Sequence, residues 1–312
     1  MNENSNFNKA FLILILVIIF YGIILFLSDL NKIIQVFNNI QVELYFLIFP
    51  LTFLTLLIQG WRYHLTLIKL DIKLQFKESF LIYLSGLSMT LTPGGAGSVI
   101  KSYILKKKTG RSFSNTTPII IYEKWLELVA IITIIGILLI WFNLLESQIV
   151  FGIGILISIF VYIVFKKNIG IQLLNNITSK IKFLKRFNIE SQEFKSATQQ
   201  LTTWKSFLEL LGITFLSKII PMFSVYLVFS LFELNFDIFS SSQIYFTSLI
   251  AGILSFVPGG IVITEGSFLG LVVKNGVEFS TATVLVLLVR FLTFWFPTLL
   301  GFFAIRKISK NL

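Results

Sequence analysis

The sequence predicts an all-α polytopic integral membrane protein, with about six full transmembrane helices plus two re-entrant Pro-Gly-Gly hairpins in an inverted repeat. Three observations predict it. Of the 312 residues 55% are apolar and only 13% charged, against about 25% charged in soluble domains. Several apolar stretches reach the about 20 residues that a helix needs to cross a hydrocarbon core of about 30 Å. Two further apolar stretches break at the same tripeptide, Pro93-Gly94-Gly95 and Pro258-Gly259-Gly260.

The crossings are expected at 10–28, 41–59, 118–141, 149–166, 207–230 and 281–304. The first is too long for a signal-peptide core and lacks a small-residue cleavage site, so it is expected to stay as an anchor. Pro118 suits the start of the third, since proline at the first helical position loses no hydrogen bond. Ser280 suits the cap of the sixth. The whole chain, 1–312, reads as one transmembrane domain of two repeats, 10–141 and 149–304.

The net charge of +11 is explained by the positive-inside bias. With the N-terminus in the cytoplasm, Lys9 lies in the tail and Arg62, Lys69, Lys73 and Lys77 in a 60–80 loop. Lys101, Lys106, Lys107, Lys108 and Arg111 follow at 98–117, and Arg306, Lys307 and Lys310 close the chain. The 166–206 segment adds Lys166, Lys167, Lys180, Lys182, Lys185, Arg186, Lys195 and Lys205. Only Lys32 and Lys274 fall outside, and Lys124, Lys218 and Arg290 fall within spans. The expectation is a multi-pass protein of the cell membrane with both termini cytoplasmic and no nucleic acid as partner. In 166–206, Leu174, Ile177, Ile181 and Leu184 recur at helical spacing among cations, which suits either a helix lying on the inner leaflet or a solvated linker helix.

Cysteine is absent and His64 is the only histidine. Thiolate chemistry, histidine metal clusters and a catalytic triad without His64 are excluded. His64 follows Trp61-Arg62-Tyr63 and reads as a membrane-interface residue rather than a proton relay. No metal, nucleotide or other cofactor is expected.

The two broken stretches are Phe80–Leu105 and Tyr245–Gly270. Proline removes a donor and clashes with the preceding turn, while paired glycines allow a sharp reversal. Ten to fourteen apolar residues do not span but can dip in and return. Broken backbone must then line a protein-enclosed or wet cavity. Two kinked crossings are the alternative, but either one would reverse every side assignment downstream of it. With hairpins, each unit has three crossings, so the second is inverted, the usual build of alternating-access carriers.

Glu123, Lys124 and Glu127 lie in the third span, Lys218 in the fifth and Arg290 in the sixth. An unpaired charge at the bilayer centre costs about 2.5–3.5 kcal/mol on insertion scales. Three cations, Lys124, Lys218 and Arg290, are matched by Glu123, Glu127 and Glu265. Two readings are open: ion pairs that pin helices together, or a site in which Arg290, Lys218 and Lys124 receive a phosphate-bearing head group. On the second, the substrate-binding set is Pro93, Gly94, Gly95, Lys101, Glu123, Lys124, Glu127, Lys218, Pro258, Gly259, Gly260, Glu265 and Arg290.

Four segments, PGGAGSVIKSYIL, YEKWLELVA, PGGIVITEGSF and VRFLTFWFPTLLG, resemble the flippase-like transmembrane region of lysylphosphatidylglycerol synthases (MprF-type proteins) over nearly the whole chain. Ser98 stands where that family has an acid, Lys101 keeps its basic residue, and Glu123-Lys124 matches its acidic-basic pair. The resemblance implies a free-standing member that moves or presents a modified lipid, or works beside a glycosyltransferase or lipid-modifying enzyme. With the chain ending at Leu312, no synthase domain or tRNA chemistry is expected. The leading expectation is a translocase for a membrane phospholipid or polyprenyl-phosphate-linked lipid. The alternatives are a non-catalytic membrane partner of a glycosyltransferase and a membrane-embedded transferase using a lipid-linked donor.

Overall fold

The computed structural model describes residues 19–29, 31, 34, 42–90, 96–166, 191–255 and 257–310. The expected inner-leaflet helix at 174–184, the first Pro-Gly-Gly and residues 10–18 of the first span lie outside the described residues. Among those described, every regular element is helical. Residues 19–27 are helical, followed by α1 (Val42–Lys69), α2 (Phe76–Leu87), α3 (Ala96–Thr109), α4 (Phe113–Leu138) and α5 (Leu145–Lys166). Then come α6 (Ser191–Leu201), α7 (Trp204–Leu231), α8 (Ile238–Leu254), a short 3-10 turn (Pro258–Gly260) and α9 (Ile263–Lys274). The last helix, α10 (Phe279–Ser309), is continuous.

By length and composition α5, α7 and α10 are long and apolar enough to cross a membrane. On α5 the exposed residues Ile149, Ile153, Leu156, Phe160 and Ile163 recur every three or four positions, so one whole face offers only hydrocarbon. Soluble monomers rarely expose such a stripe. The helices α1 and α4 have 28 and 26 residues, about 42 and 39 Å at 1.5 Å per residue.

The apolar interior falls into two clusters. One holds Ile48, Leu128–Leu138 residues of α4, Val225, Phe229, Phe268 and Leu285. The other holds Leu56, Leu67, Ile119, Tyr122, Leu210, Ala304 and Ile308. Helices α1, α4, α7 and α10 each give one end to each cluster. The pairs α2–α3 and α8–α9 do not. Ile82, Leu84, Ile104 and Leu105 belong only to the second cluster, and Ile244, Phe246, Phe268 and Val272 only to the first. Each pair occupies one apolar layer.

Three boundaries differ from the sequence reading. Helix α1 runs on to Lys69 instead of ending near residue 59. Nothing stops it: Gly60 accommodates the Phe80 ring, and the chain first turns at Asp71, with φ +55°. Helix α4 starts at Phe113 because the Ser112 side chain accepts from the Asn115 N–H, which leaves Pro118 inside the helix. Helix α10 is preceded by Glu278, not capped by Ser280. The Ser280 hydroxyl instead accepts from the Asp29 N–H at 3.1 Å, tying the N-terminal helix to α10. His64 packs against Trp61 and Phe76 and lies 2.9 Å from the Ser79 hydroxyl.

Within α10 the segment Phe291–Trp295 forms a π-helical turn, one residue wider than an α turn. Pro297 follows it and has no N–H to place. Below the turn, Gly301 lies against α2, where a Cβ would stand 2.4 Å from the Ser88 nitrogen and 2.7 Å from the Leu84 oxygen.

Candidate functional site

Two groups of buried charge face one cavity. The first is built on α4, where Glu123 and Glu127, four residues apart, lie on one face of the helix. Arg62 reaches them from α1 with 1% of its surface exposed. Its Nη2 donates to Glu127 Oε1 at 2.9 Å and stands 3.8 Å from Glu123 Oε1. Its Nη1 donates to the Thr214 hydroxyl of α7 at 3.1 Å. From α3, Lys101 Nζ donates to Glu123 Oε2 and sits 4.8 Å above the centre of the Tyr63 ring. Its methylenes pass over Gly86 of α2, where any Cβ would come within 2.9 Å of them. Lys124 Nζ bonds Glu127 Oε2 at 3.0 Å while 68% of its side chain stays exposed.

The second group is a buried pair. Glu265, in the first turn of α9, is 0% exposed. It accepts from Arg290 Nε at 2.7 Å and from the Tyr21 hydroxyl at 3.1 Å. Arg290 Nη2 donates to the Gly259 carbonyl at 3.3 Å, and its guanidinium lies 4.4 Å over the Phe294 ring. The Pro-Gly-Gly chemistry makes this possible. Gly259 and Gly260 have φ of +65° and +63°, which glycine adopts without penalty. The reversal brings Gly260 against Gly252 of α8, where a Cβ would stand 2.0 Å from the Thr264 hydroxyl. Val262 also takes a positive φ, +74°, a strained conformation for a β-branched residue immediately before the turn that carries Glu265.

Both groups border a single cavity of about 670 Å³. Of the residues singled out in the sequence, Lys101, Glu123, Lys124, Glu127, Lys218, Pro258, Gly259, Gly260 and Arg290 line it. Glu265 lies behind the lining and holds Arg290. Pro93, Gly94 and Gly95 lie outside the described residues. The cavity is also lined by Gly86 and Thr90 beside the first break and by Gly252 and Thr264 beside the second.

The charge arrangement corrects the sequence reading in two ways. Arg62, grouped in the sequence with loop cations and not among the expected site residues, is buried on the α4 carboxylates, as is Lys101, which was expected at the site. The three-to-three balance therefore becomes five cations, Arg62, Lys101, Lys124, Lys218 and Arg290, against three carboxylates, all at the cavity or directly behind it. Lys218 makes no ion pair or hydrogen bond among the described residues. Arg62 was hidden in the sequence by its place after an apolar run. The available signal was that Gly60 stands alone, with no further Gly, Pro or Asn before Asp71, which left a longer helix and an internal arginine open.

The chain is similar to two archaeal proteins over most of its length. It is 25% identical to a UPF0104 membrane protein of Methanocaldococcus jannaschii, covering 97% of this chain and 96% of that one. It is also 25% identical to a UPF0104 membrane protein of Methanothermobacter thermautotrophicus, covering 84% of each. The model of the lysylphosphatidylglycerol synthase transmembrane region matches residues 12–301. With three helices long and apolar enough to cross a membrane and that match, the chain is a membrane protein belonging to the lysylphosphatidylglycerol synthase transmembrane-region family.

Proposed function

We propose that this protein is a membrane lipid translocase that passes a phosphate-bearing polar or polyprenyl lipid between leaflets by way of the charged cavity. One observation carries the reading. A single cavity at the junction of the two apolar clusters is lined by residues of both hairpins and by cations in excess of carboxylates. A ligand that is both anionic and delivered from hydrocarbon is the chemistry such a place accommodates. Arginine with a spare donor and free ammonium groups bind phosphate well. Lys218 supplies such an ammonium, since it borders the cavity and makes no ion pair or hydrogen bond among the described residues.

The reading includes a topology. The pairs α2–α3 and α8–α9 are re-entrant, entering from the cytoplasm and from outside respectively, and both termini are cytoplasmic. Confinement of each pair to one apolar layer supports this, as does the passage of α1, α4, α7 and α10 through both. The two units then relate as an inverted repeat, so closing one entrance and opening the other exposes the same charges to either side. The chain has no cysteine, so Lys107→Cys and Lys274→Cys can be labelled singly with an impermeant thiol reagent in oriented membranes. Labelling from opposite sides is expected, and labelling from one side rejects the arrangement.

The function is tested with purified protein in liposomes carrying a fluorescent phospholipid in one leaflet. Translocation above the rate of empty liposomes is the expected result. No movement of any phosphate-bearing lipid tried, by protein shown to be folded, would defeat the translocase reading in favour of a partner for a separate enzyme.

A further inference from the structure

We infer that the cavity binds a phosphate carrying two negative charges, a phosphomonoester or a diphosphate, and seats it between Lys124 and Lys218 rather than at Arg290. This rests on the translocase reading and narrows its substrate. The charges around the cavity divide unevenly. Arg290 and Glu265 form a closed neutral pair, with the arginine further held by the Gly259 carbonyl and the Phe294 ring. The four other cations, Arg62, Lys101, Lys124 and Lys218, share Glu123 and Glu127. The whole surplus of two positive charges therefore lies on the α1–α3–α4–α7 side.

Within that side the surplus can be located further. Lys101 is committed to Glu123, and Arg62 has both terminal nitrogens engaged. Lys218 faces Lys124 and Arg62 as like charges, with Glu127 the opposing one. Lys124 is tied at one point and is largely exposed, so its ammonium can turn toward a ligand. Two ammonium groups border the cavity together with less than their share of carboxylate. Uncompensated charge away from water is expensive. A zwitterionic head group would leave the surplus at two, and a phosphodiester monoanion would leave one. A doubly charged phosphate cancels it. Lysine acts toward phosphate as a point charge, so the site selects on charge more than on head-group shape.

The shared chemistry is a terminal phosphate, and the experiment separates its sources. Protein in neutral detergent at pH 8 is titrated with phosphatidic acid, with phosphatidylglycerol and with inorganic phosphate, with binding read by native mass spectrometry. Phosphatidic acid is expected to bind at least about tenfold more tightly than phosphatidylglycerol, the loss on leaving a buried charge without its partner. Lys218→Gln should reduce that preference to within about twofold, and Lys218→Arg should retain it. Because it removes a cation lacking its own counter-ion, Lys218→Gln should also leave the empty protein at least as heat-stable as the parent, whereas a merely structural lysine would lower the melting temperature. Equal binding of the two lipids would overturn the double charge while leaving the translocase reading in place. Binding of neither lipid would overturn both. Inorganic phosphate binding as tightly as phosphatidic acid would overturn a lipid as the carrier of that phosphate.

Discussion

Arg62 Nη2 lies 2.9 Å from Glu127 Oε1, joining α1 to α4 by a charge-assisted hydrogen bond. Removing Glu127 strands the arginine in a place that water reaches poorly, whereas removing Arg62 leaves Glu127 with Lys124. Glu127→Leu is expected to destabilise the protein by about 3–5 kcal/mol, and Arg62→Met with Glu127→Leu should recover part of that, because the buried arginine is then no longer left behind. Unfolding in detergent, followed by tryptophan fluorescence, measures both.

The Glu265–Arg290 pair should matter more for movement of lipid than for folding. Arg290→Lys keeps the charge but cannot reach Glu265 and the Gly259 carbonyl from one planar fork. A fall in leaflet exchange of at least about tenfold is expected, equivalent to about 1.4 kcal/mol of barrier, with a melting temperature close to the parent's. An unchanged exchange rate would remove the pair from the transport path.

Gly301 and Gly270 give a matched comparison. A Cβ at Gly301 would meet backbone atoms of Ser88 and Leu84 that have nowhere to go, whereas nothing lies within 4 Å of one at Gly270. Gly301→Ala should cost about 1–3 kcal/mol by forcing α10 away from α2. Gly270→Ala should be neutral or stabilise by up to about 1 kcal/mol through helix propensity. Melting temperatures of the two variants in one detergent check the contrast.

Asp237 caps α8 by accepting from the Ser240 N–H and hydroxyl, each at 2.7 Å. These bonds, the backbone one foremost, hold its carboxyl below the usual aspartate range. Its contribution to stability is therefore complete above the ordinary aspartate pKa of about 3.9, and is lost as pH falls through the lowered folded-state value. Asp237→Asn should keep the cap while removing that share of the acid sensitivity, and Asp237→Ala should cost about 1 kcal/mol at neutral pH. Thermal melts between pH 3 and pH 7 test both.

The membrane class and the backbone reversal at the second Pro-Gly-Gly were legible because each follows from local rules. Apolar length reports a span, and Pro258-Gly259-Gly260 reports a reversal whatever surrounds it. The partners of the charges were less legible. Lys124 and Glu127 are three residues apart and could be paired on sight, but Arg62 meets Glu127 across 65 positions of chain. Hydropathy reads an arginine as a water-seeking residue and has no means of seeing a carboxylate that arrives from another helix. Lys101 was expected at the site, but the Gly86 channel and the Tyr63 ring that hold it come from other helices and could not be foreseen from its neighbours. Pro118 misled for a different reason: the stronger local signal was Ser112, whose hydroxyl caps a helix that starts five residues earlier, at Phe113.

The π-helical turn at Phe291–Trp295 sets the phase of α10. On one side of it the helix presents Arg290 to the cavity, and on the other it presents Gly301 to the backbone of α2. Those two facets would point about 100° apart from their present directions if the extra residue were removed, since that is one step of an α-helix. Deleting Thr293 would thus force a choice between seating the guanidinium and seating the glycine. The bulge thus ties the seat of α2 to that of the second charge pair, and a rotation there would be felt by both at once.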